Sequence, residues 1–325
     1  MHAGEPLARA VGCLSSQTYR DFETIIVDNS GTGAATRFAA PPAVRVLENP
    51  ENLGFGAAVN RGIENSQSEL VCTLNDDAYP APECLESLVR AADSRADAGM
   101  FACQIRLASQ PGRLDSAGLG IYADGTTKQR GHREPARNYS EPEEVLIPSA
   151  CAALYRRSLL DRVGVFDADY FLYCEDTDLG LRARLAGEYC LYVPHAVVEH
   201  DYSVSSGRAS RLKAYYVERN RLWTVIKTFP VALWPLVPLY SSWRYLLHFW
   251  ALLTGRGLAA EFTRQGEKWW RLVLIVGSAH AHALSHLPAL LAKRRHIQDG
   301  ATLDARAFWR LLRRHYASAW QIAMQ

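Results

Sequence analysis

Short apolar, β-branched runs alternate with helical patterns through the first hundred residues, and no other feature constrains the fold as tightly. Leu7, Val11 and Leu14 share one face of a helix expected over 5–16. Thr24-Ile25-Ile26-Val27 reads as a strand ending in the turn Asp28-Asn29-Ser30-Gly31, and Val44-Arg45-Val46-Leu47 reads as a second. A helix is expected from Gly56 to Asn65, a third strand at Leu70-Val71-Cys72-Thr73-Leu74, and a further helix opened by Pro82 over 82–95. This alternation predicts an α/β domain whose mostly parallel sheet is covered by helices on both faces. Ligands of such sheets bind outside the carboxyl ends of strands. Asp28, Asn52 and Asn75-Asp76-Asp77 all fall at or near such ends.

The polar clusters each admit two readings. Asn52-Leu53-Gly54-Phe55-Gly56 sets two glycines before a helix, where backbone could approach an anionic ligand or simply turn and cap. Asn75-Asp76-Asp77 places adjacent carboxylates at the tip of a buried strand, which suits a hard divalent cation or an Asp-rich turn before Pro80. Glu175, Asp176 and Asp178 open a helical pattern, so they complement its dipole or supply a general base. His200 follows the strand-like Ala196-Val197-Val198-Glu199 and is either structural or, with Asp77, half of a mixed O/N metal site.

Charge is divided unevenly along the chain. The 325 residues carry a formal net charge of +2, yet residues 1–204 hold 18 basic and 29 acidic side chains and residues 205–325 hold 18 and 5. All eight Trp lie in the second stretch. Two regions are therefore expected, 1–204 and 205–325. Trp among Lys and Arg is the composition of a helix lying in a membrane interface, or of helices packing on protein or on a second copy in a homo-oligomer. No nucleic-acid-binding signature is present. Residues 272–292 lack Asp, Glu, Lys and Arg, but Gly277, His280, His282, His286 and Pro288 argue against a span. The seven cysteines have no C-x-x-C spacing and are expected to be free, mostly buried thiols of a reducing compartment. Met1-His2-Ala3-Gly4-Glu5 lacks the pattern of a secretory leader.

The order of these clusters resembles the inverting family 2 glycosyltransferases of the GT-A fold. The resemblance is carried by Ile26-Val27-Asp28-Asn29-Ser30, Asn52-Leu53-Gly54-Phe55-Gly56 with Asn60-Arg61-Gly62, Leu74-Asn75-Asp76-Asp77, Asp115-Ser116-Ala117-Gly118, Val163-Gly164-Val165-Phe166-Asp167, Glu175-Asp176-Thr177-Asp178 and Val193-Pro194-His195-Ala196-Val197-Val198-Glu199-His200. Tyr215-Tyr216-Val217-Glu218-Arg219-Asn220-Arg221 is similar to the segment after the catalytic domain in bacterial rhamnosyltransferase-like members. No single motif is specific; their succession over residues 5–228 is.

The resemblance implies roles residue by residue. Asp28 would contact the donor nucleoside; Asn52, Gly54 and Asn60 would flank the nucleotide-sugar. Either Asn75 or Asp76 would meet the ribose. Asp77 would bind Mg²⁺ or Mn²⁺, with His200 as the late metal ligand. Asp176 would be the catalytic base, with Glu175 orienting the acceptor or raising the Asp176 pKa. The implied activity moves a sugar, rhamnose being the branch's commonest, from a nucleoside-diphosphate donor to a glycan or lipid-linked acceptor in cell-envelope polysaccharide synthesis. The implied location is the cytoplasmic face of the membrane, with peripheral contact through 205–325. A non-catalytic scaffold built on the same fold is the alternative. Family members normally begin with an apolar strand just before the helix that holds Leu7 and Val11, so the sequence is expected either to start from a late-assigned codon or to lack that first strand.

Overall fold

The computed structural model describes residues 4–40, 43–201 and 210–324. The expected boundary at 204/205 lies outside the described residues. The chain divides into two compact units: Met1–Leu119 with Gln129–Leu179 and Glu188–Tyr202, and Gly120–Lys128 with Gly180–Gly187 and Ser203–Gln325.

The first unit follows the expected alternation closely. Its elements are α1 (Glu5–Ser15), β1 (Thr24–Asp28), β2 (Val44–Glu48), α2 (Phe55–Glu64), β3 (Leu70–Leu74), β4 (Ala78–Pro80), α3 (Cys84–Ser94) and β5 (Ala98–Leu107). Then come β6 (Leu114–Ser116), the hairpin of β7 (Leu119–Ile121) and β8 (Thr127–Gln129), most of which belongs to the second unit, and β9 (Glu143–Glu144), β10 (Ala152–Arg156) and α4 (Arg157–Val163). The helix α5 (Glu175–Leu185) and the long strand β11 (Tyr189–His200) complete it. The main sheet runs β3-β10-β5-β11-β4, with β6 on β5 and β9 on β11, while β1 and β2 form a separate parallel ladder.

The α/β expectation holds, but the sheet is mixed rather than mostly parallel. Only β1–β2 and β5–β11 run parallel; β10 is antiparallel to both β3 and β5, and β4 is antiparallel to β11. Parallel neighbours need a long crossover, usually a helix. Beyond β5 only β11, reached through α5, keeps that pattern; β6, β9 and β10 are returned by loops and hairpins and pair antiparallel. The core between α3 and the sheet is made by Leu85, Leu88, Phe101, Ile105, Leu154 and Val198. All seven cysteines are free, with Cys84, Cys103 and Cys190 buried and Cys72 exposed.

One irregularity aims the end of β11. Its register against β5 shifts between Val193 and Val197, at Pro194, which has no N–H for the ladder. Beyond this bulge the two-residue period buries Ala196, Val198 and His200 on one side and exposes His195 and Glu199 on the other.

A second close contact fixes the loop ahead of α5. Gly54, the N-cap of α2, has φ +86°, and Phe55 N–H donates to the Phe171 carbonyl at 2.8 Å. A Cβ on Gly54 would sit 2.4 Å from that carbonyl oxygen and 2.8 Å from Phe171 Cα.

The second unit is helical: α6 (Arg211–Thr228), α7 (Leu236–Leu253), α8 (Gly257–Arg264), α9 (Trp270–Ser285), α10 (Leu287–Asp299), α11 (Ala305–Arg314) and α12 (Ala319–Met324). Ser210 caps α6 by accepting from Lys213 N–H, and Asp304 caps α11 by accepting from Ala307 N–H. At its centre lies an ionic cluster. Arg244 Nε donates to Asp124 at 2.7 Å and its Nη2 to Glu218 at 3.0 Å; Arg221 pairs with Glu218 and donates to the Asp124 carbonyl. All four side chains are buried, and their charges compensate one another, as burial requires. No single described helix is long and apolar enough to cross a membrane; α9 and α10 reach that composition only together, bent by 66°.

Replacing Gly54 by Ala forces either its own left-handed backbone or the Phe171 backbone to move. The expected result is a loss of about 1–3 kcal/mol in thermal or denaturant unfolding, with activity falling further than stability because Phe171 leads into Glu175 and Asp176.

Candidate active site

The β4–β11 register brings one end of the site together. Ala78 pairs with His200, and Asp201 N–H donates to the Asp77 carbonyl at 3.0 Å. The Asp77 carboxylate therefore lies beside the imidazole, with Oδ1 3.3 Å from His200 Nε2. Asp77 Oδ1 is buried and makes no hydrogen bond of its own among the described residues. On the far side of the ring, His200 Nδ1 is 2.8 Å from Asp115 Oδ2. Asp115 is also flanked by His132 Nδ1, 3.2 Å from its Oδ1. Burial opposes charge on His200, but Cys151, Asp115 and Asp77 together outweigh it and hold its pKa well above the ordinary imidazole value. Burial likewise opposes charge on Asp115, and hydrogen bonds from His132 and His200 lower its pKa nonetheless.

The other end is the start of α5. Phe171, Tyr173 and Cys174 all adopt positive φ, between 62° and 67°, in the four residues that precede Glu175. Three non-glycine residues in the left-handed region are costly and persist only where surroundings enforce them. The turn delivers Glu175 and Asp176 side by side. Burial raises the Glu175 pKa to about 8, helped by the charge of Asp176, and burial raises Asp176 as well. Asp176 is the better solvated of the two: its oxygens accept from Thr177 N–H at 2.7 Å and Ala150 N–H at 3.4 Å. Glu175 Oε2 is buried without a hydrogen bond. These hydrogen bonds favour the charged form of Asp176 over that of Glu175, although burial raises the pKa of both.

Residues 150–151 join the two ends. Ala150 N–H reaches Asp176, the Cys151 carbonyl accepts from Asn75 N–H at 2.9 Å, and the Cys151 thiol neighbours His200. Asn75 and Asp76 lie half-buried on the turn between β3 and Asp77.

The remaining residues anticipated at the donor side are engaged within the protein. Asp28 is buried at the end of β1 and accepts from Ser30 N–H, Ser30 Oγ and Ala35 N–H. Burial opposes its charge, but these hydrogen bonds lower its pKa. Asn52 Oδ1 accepts from Asn29 Nδ2 and Gly54 N–H. Asn60 braces a turn by donating to the Phe166 carbonyl at 2.7 Å and accepting from Phe166 N–H at 3.0 Å. The close backbone approach that Gly54 permits is to Phe171. Asp178, at the same helix start, is fully buried and accepts from Tyr170 Oη.

Asp115, His132 and residues 150–151 had no role in the sequence reading. Asp115 stood in a recognised motif, but its partner His200 is 85 residues away, and nothing local signals the contact. Among the described residues no cluster of three or more His, Cys, Asp or Glu side chains could hold a metal ion. Asp77 and His200 offer one oxygen and one nitrogen, a donor set that suits a divalent cation completed by phosphate oxygens and water.

Residues 2–164 match Glycosyl transferase family 2. N-acetylglucosaminyl-diphospho-decaprenol L-rhamnosyltransferase of Mycobacterium tuberculosis is 32% identical over 240 residues, covering 66% of this chain and 78% of that protein. Rhamnosyltransferase WbbL of Escherichia coli K12 is 44% identical over 77 residues, 21% of this chain and 29% of WbbL. Among solved structures, GalNAc-T7 with UDP, GalNAc and Mn²⁺ superposes with a TM-score of 0.55 at 14% identity, over 68% of this chain and 45% of that one. That likeness concerns the fold alone. The chain belongs to glycosyl transferase family 2: it is a glycosyltransferase of the GT-A fold, similar to bacterial rhamnosyltransferases.

Proposed function

We propose that this enzyme transfers a sugar, rhamnose on the pattern of its relatives, from a nucleoside-diphosphate donor to a hydroxyl of a glycan or lipid-linked acceptor, with inversion, in cell-envelope polysaccharide synthesis. The observation that supports this reading is the junction at residues 150–151, where the Ala150 N–H reaches the Asp176 carboxylate and Cys151 neighbours His200, the partner of Asp77. A divalent cation, Mg²⁺ or Mn²⁺, held by Asp77 and His200 would offset the charge that develops on the departing diphosphate. Asp176 takes the proton of the acceptor hydroxyl as its oxygen bonds to the anomeric carbon. The bond to the diphosphate breaks, and its electron pair leaves on the phosphate oxygen. Asp176 acts as a base and not as a nucleophile, so displacement occurs once and the anomeric centre inverts. Glu175 stays protonated and leaves the charge on its neighbour. Asp115 accepts the Nδ1 proton of His200 and thereby turns Nε2 toward Asp77. Asp28, Asn52, Gly54, Asn60, Asn75 and Asp76 shape the donor side, chiefly through the backbone they hold. We further place the enzyme at the cytoplasmic face of the membrane, where a lipid-linked acceptor would be presented.

Three measurements test this reading. Asp176→Asn should lower the turnover of sugar transfer by about 10²–10⁴-fold while leaving affinity for a nucleoside diphosphate with Mn²⁺ unchanged; equal turnover would reject the base assignment. Asp115→Asn should weaken Mn²⁺ binding, followed by electron paramagnetic resonance, by about 10–100-fold, and should also lower the melting temperature because it removes the charge partner of two buried histidines. Unchanged Mn²⁺ affinity would make the Asp115–His200 contact structural only. The pH dependence of stability carries a third sign. Between pH 4.5 and about 8, Glu175 is ionised in the unfolded chain but protonated in the folded one, so its contribution to stability falls as pH rises through that window. Glu175→Gln should therefore lose less melting temperature than the parent between pH 5 and pH 8; parallel curves would contradict a protonated Glu175.

A further inference from the structure

The helix α7 is inside out. Arg244 and Ser241 point inward and hydrogen-bond Asp124, and Arg244 and Tyr245 reach Glu218. Its outward positions are Leu239, Trp243, Leu246, Trp250 and Leu253, spaced by four, three, four and three residues and each between 41% and 70% exposed. A helix in a water-soluble unit buries such a stripe and exposes its charges. The surface continues onto α12, where Trp320 is half exposed and its ring lies 5.3 Å from Trp250. A seam at three-and-four spacing could pair with an identical helix or lie against lipid.

Charge separates these two occupants. Residues 229–260 contain no Asp or Glu at all, and the exposed charges nearest in sequence after the stripe are Arg256, Arg264 and Lys268. A second copy would bring the same three exposed cations against only the half-buried Glu261 and Glu267, the latter already paired with Arg211 and Arg271, whereas an anionic lipid surface meets both the apolar stripe and the cations. We infer that the Leu239–Leu253 face of α7, extended by Trp320, is the surface on which this protein docks to an anionic membrane, with the helix lying in the interface. This rests on the reading that the enzyme works at a membrane, and it names the element responsible. The polar core behind α7 fits the same environment, since its ion pairs are satisfied internally and ask nothing of the outer face.

The test uses the full chain and vesicles of phosphatidylcholine alone or mixed with phosphatidylglycerol, read by flotation. The parent should float with the anionic vesicles and much less with the zwitterionic ones. Trp243→Ser combined with Leu246→Ser should reduce flotation by about tenfold or more. Both positions are exposed, so melting temperature should hold. A milder pair, Trp243→Phe with Trp250→Phe, keeps the stripe apolar: binding should persist, while the quenching of tryptophan emission by brominated lipid should fall. If the parent floats and the Ser variant floats equally well, another element docks and this inference is overturned while the membrane reading stands. If the parent never floats, both are overturned. A parent that is dimeric by light scattering and becomes monomeric in the Ser variant assigns the face to a second copy instead.

Discussion

The parallel pairing of β5 with β11 holds the catalytic unit in register, and the geometry of the site depends on where that pairing is broken. Were β11 regular, its final residues would keep the facing set by Tyr189–Val193. The shift at Pro194 resets the period, so that His200 ends buried between Asp77 from the β4 side and Asp115 from the β6 side. A buried imidazole between two carboxylates is stable only if each neighbour is itself compensated. His132 does this for Asp115, and the cation proposed at Asp77 would do it for the other end.

The carboxylate pair on α5 follows a different physical logic. Here, among the described residues, two acids are crowded without a basic partner, and burial raises the pKa of both. The asymmetry of hydrogen bonding decides which acid keeps the charge: Asp176 receives two backbone amides and Glu175 Oε2 receives none. The strained turn from Phe171 to Cys174 is what forces the pair together, and Gly54 is what allows that turn to approach α2. A glycine read from sequence as a ligand-approach position thus serves the site by letting two loops touch.

Much of the architecture was legible because it is local. The periods of β1, β2, β3, α1 and α2 are written in consecutive residues, and the observed boundaries fall within a residue of those expected. The start of α3 lies two residues later than the Pro82 signal, since Ala81 carbonyl bonding to Cys84 N–H first closes a turn. The parallel character of the sheet was overestimated for the complementary reason. Strand direction beyond β5 depends on how loops over 108–151 return, and no short-range pattern encodes that. Motif order singles out Asp77, Asp176 and His200 as candidates; it gives no role to Asp115 or His132, because the Asp115–His200 contact spans 85 residues.

What the sequence by itself determined is the α/β class, the family, the divided charge and the confinement of every Trp to the second half. These properties follow from composition and from periodicities that act over a few residues. Only the tertiary structure decided which of the α5 carboxylates receives backbone amides, which histidine faces Asp77, and that α7 turns Arg244 inward and its Leu and Trp outward. Such outcomes depend on burial and on partners distant in sequence. Desolvation, which raises the Glu175 pKa, and the ion pairs with Asp124 and Glu218 that hold Arg244 inside exist only once the chain has folded.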